Sequence, residues 1–185
     1  MKKAMSIIFA TALSLTLISC SEKAGNSKND KDYTTLNSTW ECDYLKIGTN
    51  SNWSEYDSLS DYSNYASWSW KDSSDEGHSC NLNLSHSSLY KKLSQSDAIK
   101  YWEWSQNDFL TSEEFKGDQT ITEKYKDYFV EDSFVKNGQS YLIISKKGQP
   151  QKRIEFYAEG LHGDLSYNSD DEPLIMDMIN SIVFY

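Results

Sequence analysis

The ten residues from His78 to Ser87 read His-Ser-Cys-Asn-Leu-Asn-Leu-Ser-His-Ser and alternate throughout. His78, Cys80, Leu82, Leu84 and His86 fall on one side, and Ser79, Asn81, Asn83, Ser85 and Ser87 on the other. Side chains of a strand point to opposite faces in turn, so this run predicts a strand with one face on a core and one in water. Such a strand belongs in an antiparallel sheet, because parallel sheets bury both faces. A partner lies just upstream. Tyr65 to Lys71 sets Ala66, Trp68 and Trp70 against Ser67, Ser69 and Lys71, and the polar turn from Asp72 to Gly77 joins the two runs as a hairpin.

The remaining elements extend this pattern in both directions. Trp40 to Ile47 is the first candidate strand, followed by a turn over Gly48 to Ser54 that contains Trp53. Residues 54 to 64 are rich in Ser, Asp, Asn and Tyr and read as loop. Ser94 or Ser96 caps a helix running to about Leu110, with Ala98, Ile99, Trp102, Phe109 and Leu110 as its stripe. Trp102 and Trp104 also satisfy a strand's period, so both readings stand. Residues 111 to 125 are polar, loop or frayed helix. Tyr128 to Val135 and Tyr141 to Ser145 flank Asn137-Gly138, the favoured hairpin dipeptide. After a turn at Lys147 to Pro150, Ile154, Phe156 and Ala158 face inward, with Arg153, Glu155, Tyr157 and Glu159 outward. Beyond Gly160, Leu161, Leu165 and Tyr167 face inward, with His162, Asp164 and Ser166 outward. Asp170-Asp171-Glu172-Pro173 opens a helix, since acids suit the positive end of its dipole and proline suits its first turn. Leu174, Ile175, Met178 and Ile179 form its buried stripe, and Ser181 to Tyr185 closes as a short strand. The expected class is α+β, an antiparallel meander flanked by helices.

The N-terminus carries a different kind of signal. Met1-Lys2-Lys3 precedes an uncharged stretch from Ala4 to Ser19, which ends Leu17-Ile18-Ser19-Cys20. A basic start, an apolar centre and small residues before a cut site describe a secretory leader. With a cysteine after the cut, the block resembles a bacterial lipoprotein signal and its lipobox. The resemblance implies that Cys20 receives a diacylglyceryl thioether, becomes the mature N-terminus and is acylated there. The organisation then reads as a signal peptide over 1–19, a flexible tether over 20–36 and one globular domain over 37–185. Attachment to the membrane is through the acyl chains, and more than one chain is needed for stable anchoring. Ser21 after the cysteine points to the outer membrane, on its periplasmic face.

Loss of Lys2 and Lys3 leaves 16 basic against 28 acidic side chains, a net charge of −12. Nucleic acid and anionic lipid are poor partners for that surface, because both are recognised by neutralising phosphates. With Cys20 assigned to lipid, Cys42 and Cys80 remain as a pair in an oxidising compartment, where a disulfide is the default. Closing that loop would stabilise the fold by about 4 kcal/mol in the chain-entropy model.

Three features in order resemble the PsbP-like/DcrB-like domain. Leu45-Lys46-Ile47-Gly48 followed by Trp53 is a strand, a glycine turn and a tryptophan. Asn137-Gly138-Gln139 opens a meander that runs to Tyr167. An acidic-started helix then runs into Ser181-Ile182-Val183-Phe184. The likeness covers about residues 38 to 185, with one departure: the family usually has a proline before the early tryptophan, and Gly48 to Asn52 contain none. It implies an antiparallel sheet flanked by helices and an extracytoplasmic accessory role, and it brings no catalytic residues.

Chemical constellations are sparse. His78, Cys80, His86 and Cys42 are zinc-type ligands, but eight residues of strand separate the two histidines by roughly 26 Å, too far for one ion without a bend. No cofactor is expected. Six tryptophans and thirteen tyrosines serve either as core filling or as stacking surfaces. The acids fall in polar turns, where their pKa values should not be pushed far enough to make an acid/base pair. No Gly-x-Ser-x-Gly elbow, spare cysteine or glycine-rich phosphate loop is present, so the expected protein is not an enzyme. The expected function is a lipid-anchored binding or accessory module with a protein partner in the envelope. The alternative is an immunity or inhibitor lipoprotein whose acidic surface meets a basic toxin or hydrolase. The expected contact surface is Trp53, Tyr56, Tyr62 and Tyr65.

Overall fold

The computed structural model describes residues 31–60, 63–72, 74–112 and 126–185. Residues 31–185 form one compact unit. Cys20 and Tyr62 lie outside the described residues, as do residues 113–125 of the polar stretch. The described elements are β1 (Ser38–Glu41), β2 (Leu45–Thr49), β3 (Ser54–Leu59), β4 (Ser63–Lys71), β5 (Gly77–His86), α1 (Gln95–Thr111), β6 (Tyr128–Lys136), β7 (Gln139–Lys146), β8 (Gln151–Ala158), β9 (Leu161–Asn168), a 3-10 turn (Ser169–Asp171), α2 (Glu172–Ser181) and β10 (Val183–Phe184). The class is α+β. None of the described helices is long and apolar enough to cross a membrane.

Seven strands make one antiparallel sheet in the order β3-β4-β5-β9-β8-β7-β6, and β1-β2-β10 make a second sheet of three. The β4–β5 hairpin pairs Ala66 with Leu82 and Trp68 with Cys80, so the two alternating runs bury one common face. Ile154, Phe156, Leu165 and Tyr167 extend that face across β8 and β9. Trp40, Leu45 and Ile47 of the small sheet and Ile175, Met178 and Ile179 of α2 cover it. Asn137 and Gly138 both have positive φ, 49° and 72°, as their two-residue turn demands.

The opposite face carries a second core, which alternation along one strand does not foresee. Leu142, Ile144 and Tyr157 lie beneath Ala98 and Trp102 of α1. Tyr157, expected outside, is therefore buried, and Glu155, also expected outside, is buried beside it. Alternation distinguishes the two faces of a sheet, but it does not tell which faces a helix will cover. Ser94 caps α1 as expected, its Oγ accepting from Asp97 N at 3.3 Å.

Three further differences have clear causes. Residues 54–59, read as loop, form an edge strand exposed along its whole length, so no burial pattern marks it. Hydrogen bonding of the domain starts before residue 37: buried Asn50 donates from Nδ2 to the carbonyls of Asp32 (2.9 Å) and Thr35 (2.7 Å). Cys42 and Cys80 are both free, so the expected disulfide is not formed. Cys80 faces Trp68, and its Sγ lies 4.0 Å from Met178 Sδ. Cys42 lines a cleft with Leu59, Ser60 and Asn64, and Asn64 pairs with Leu84. Four residues along β5, about 13 Å, separate Leu84 from Cys80. Bonded cysteines need Cα atoms within about 7 Å.

Candidate binding face

α1 packs on β6 and β7, so the β3-β4-β5-β9 half of the outer sheet face has no covering element among the described residues. This half is polar because each strand turns its small or hydrogen-bonding residues outward. β4 contributes Tyr65 and Ser67, β5 contributes Asn81 and Asn83, and β9 contributes Asp164 and Ser166. Register aligns them in rows: Tyr65 with Asn83, Asn83 with Asp164, and Asp164 with Glu155 of β8.

The rows are tied laterally. Tyr65 Oη donates to Asn81 Oδ1 at 2.9 Å, and Asn83 Nδ2 donates to Asp164 Oδ1 at 3.2 Å. At the margin next to α1 lies an ionic group. Glu155, only 5 % exposed, accepts from Tyr157 Oη at 2.6 Å and pairs with Arg153 Nη2 at 2.7 Å. His162 Nε2 stands 3.5 Å from the same carboxylate, and its ring stacks on Tyr157 at 4.7 Å between centroids. Burial works against ionisation of Glu155, but His162, Arg153 and the Tyr157 hydroxyl more than offset it and hold the carboxyl below its ordinary range. Asp164 moves the other way: burial raises its pKa, and Arg153 and Asn83 offset this only in part. Burial, together with the Glu155 charge, pushes the Tyr157 phenol up.

Two carboxyls on paired strands, shifted in opposite directions, were not visible in the acid-rich turns to which the sequence directed attention. The available signal was Arg153-x-Glu155-x-Tyr157 on one strand face and His162-x-Asp164 on the next, joined by the two-residue loop Glu159-Gly160. Glu155 is fully engaged and shielded from solvent, so the group is suited to holding the surface rigid. Asp164 and Asn83, on its open side, can both exchange hydrogen bonds with a ligand.

The expected contact residues separate. Tyr56 is 65 % exposed, and its ring lies 6.1 Å from that of half-buried Tyr65, so these two do form a pair on the outer face. Trp53 is not a surface anchor: it is 7 % exposed, stacks on Trp70 at 4.7 Å and donates Nε1–H to Tyr33 O at 2.9 Å. Its ring is drawn inward because Trp70 offers a flat apolar face that outweighs solvent contact. His78 and His86 sit at opposite ends of β5. His78 Nδ1 is 2.8 Å from Asp171 Oδ1, while the His86 ring lies 3.7 Å from that of Tyr44. Among the described residues no group of three or more His, Cys, Asp or Glu side chains is placed to hold a metal ion. No protein-family model and no curated protein matches this chain.

Proposed function

We propose that the chain is a lipid-anchored binding module of the bacterial cell envelope, one that holds a protein partner and turns over no substrate. The observation that carries this reading is the polar half of the large sheet that no described element covers, with Tyr65, Asn81, Asn83 and Asp164 on strands packed from behind and Tyr56 on the exposed edge strand beside them. Side chains fixed before contact lose little entropy on binding, which is where a rigid sheet gains over a loop. The engagement of Glu155 by three neighbours supports binding over acid/base turnover, since a base must reach the proton that it takes. An antiparallel sheet flanked by helices supports assignment to the PsbP-like/DcrB-like domain, and Leu17-Ile18-Ser19-Cys20 supports the anchor. The anchor would hold the module at the outer membrane, facing the periplasm. The net charge of −12 on the mature chain favours a basic partner, the feature shared with an immunity or inhibitor lipoprotein.

The test is capture from detergent-solubilised envelope. The parent chain should fractionate with membranes as a processed form, Cys20→Ser should accumulate as precursor, and a stoichiometric protein should co-purify with the parent. Tyr56→Ala should weaken that capture while changing stability by no more than about 0.5 kcal/mol, as for other exposed positions. Processing of Cys20→Ser to a membrane-bound form would remove the anchor, and an empty capture would remove the binding module.

A further inference from the structure

We propose that the outer edge of β3 is a strand-addition site for an extended segment of a protein partner in which lysine or arginine alternates with apolar residues. The proposal rests on the binding-module reading and names the chemistry of its partner.

The two edges of the large sheet are built differently. The β6 edge is interrupted by a register shift between Val130 and Asp132, and α1 packs against it. Bulges and covering helices are ordinary ways to keep an edge from pairing. β3 has neither. Its six residues pair with β4 without a shift, from Ser54 opposite Ser69 to Leu59 opposite Asn64, and all six are exposed. On its other side β3 pairs with no strand among the described residues. Ser60 N donates to Ser63 O at 3.0 Å and closes the β3–β4 hairpin. Hydrogen-bonded and open pairs alternate from there, so the backbone groups of Glu55, Asp57 and Leu59 point outward. Six residues of edge span about 20 Å, enough for a short ladder.

Charge selects the occupant. No lysine or arginine occurs between Thr49 and Trp70, whereas β3 carries Glu55 and Asp57. These acids lie on the core side of the strand, where Glu55 Oε2 accepts from Trp68 Nε1 at 2.8 Å and Asp57 Oδ2 from Trp40 Nε1 at 3.4 Å. At its Leu59 end the edge runs into a cleft of about 530 Å³ whose charged lining is Glu41 and Asp43. A second copy of β3 added antiparallel brings Glu55 and Asp57 up to the same acids, and like charges set opposite each other destabilise a pair. A basic segment reverses the sign of those contacts. Alternation follows from the strand's two faces, for residues beside Glu55 and Asp57 meet carboxylates while those beside Tyr56 meet an exposed ring.

The probe is a blocked, fluorescent, alternating Lys-Val octapeptide, titrated against the full chain and followed by anisotropy. It should bind at least tenfold tighter than a Glu-Val octapeptide. The same Lys-Val peptide with two central valines replaced by proline should bind at least tenfold more weakly, because proline cannot donate to the ladder. The double variant Glu55→Lys, Asp57→Lys should lose at least tenfold for the Lys-Val peptide. If that variant does not fold, the three peptides against the parent chain still decide. Equal binding of the proline peptide would leave charge alone and overturn strand addition, and equal binding of the Glu-Val peptide would overturn the basic partner. Envelope capture separates this claim from the reading beneath it. A folded double variant that still captures the parent's partner ends the β3 proposal only, whereas a parent that captures nothing ends the binding module itself.

Discussion

At position 163 a side chain has no room. Gly163 of β9 pairs with Phe156 of β8, and the Phe156 ring lies across the glycine where a Cβ would stand. The ring cannot withdraw, because Tyr141 and Phe184 hold it at 5.7 Å and 5.6 Å between centroids. Gly163→Ala is expected to cost about 1–3 kcal/mol, the usual range for overpacking, and an unchanged urea midpoint would refute this. The neighbouring residue makes a pH prediction. Asp164 has its folded pKa raised, by burial first, so its ionised form costs the folded chain more than the unfolded one. The stability that goes with the protonated acid is full below the ordinary aspartate range and is lost as pH rises through the raised value. Asp164→Asn should therefore melt above the parent at pH 7, with the advantage shrinking toward about pH 4 as the parent takes up its proton. A variant less stable than the parent at pH 7 would show that the pairing with Arg153 outweighs burial. Sequence placed Asp164 on the outer face correctly. The pairing that sets its pKa comes from the β8–β9 register, which one strand read alone does not contain.

Among the elements, α1 and β3 show where periodicity decides and where it fails. Trp102 and Trp104 fit a strand as well as a helix, because two residues apart is one face of a strand. In the helix they part, with Trp102 5 % exposed against Leu142, Ile144 and Tyr157, and Trp104 59 % exposed. Trp102→Ala should cost about 3–5 kcal/mol, as for other large-to-small changes in a core, and Trp104→Ala within about 0.5 kcal/mol. Comparable losses at both positions would mean that the segment is not helical. β3 defeats the same kind of reading for a physical reason. A strand at a sheet edge with neither face buried keeps no hydrophobic period, and its ladder to β4 alone defines it. Hence the Asn137-Gly138 hairpin and the β4–β5 hairpin were legible, whereas Ser54 to Leu59 read as loop. Trp53 was misplaced with it, since its stacking partner Trp70 is distant in sequence.

Over the whole molecule, two long-range pairings make one body out of these hairpins. β9 lies beside β5, joining the early hairpin to the late meander, and β2 is shared between β1 and β10. Neither is written in local pattern, because each joins segments about eighty or more residues apart. Both close the core that holds Cys80. That thiol is fully buried, and burial first, then the Asp171 charge, pushes its pKa well above the ordinary thiol range. Cys42 is half-buried in the cleft at the end of β3. The two cysteines therefore report different events, Cys42 local access and Cys80 opening of the main core. In the Cys20→Ser chain without reductant, a thiol reagent should titrate Cys42 promptly. Cys80 should follow at least about a thousandfold more slowly, as expected if its labelling needs an unfolding of 5 kcal/mol or more. Denaturant should bring the two rates together. Equal rates in the native chain would mean that β5 and α2 do not pack as described. Failure to label either cysteine until a reductant is added would mean that the chain bridges them after all, with β1 and β5 closer than this arrangement holds them.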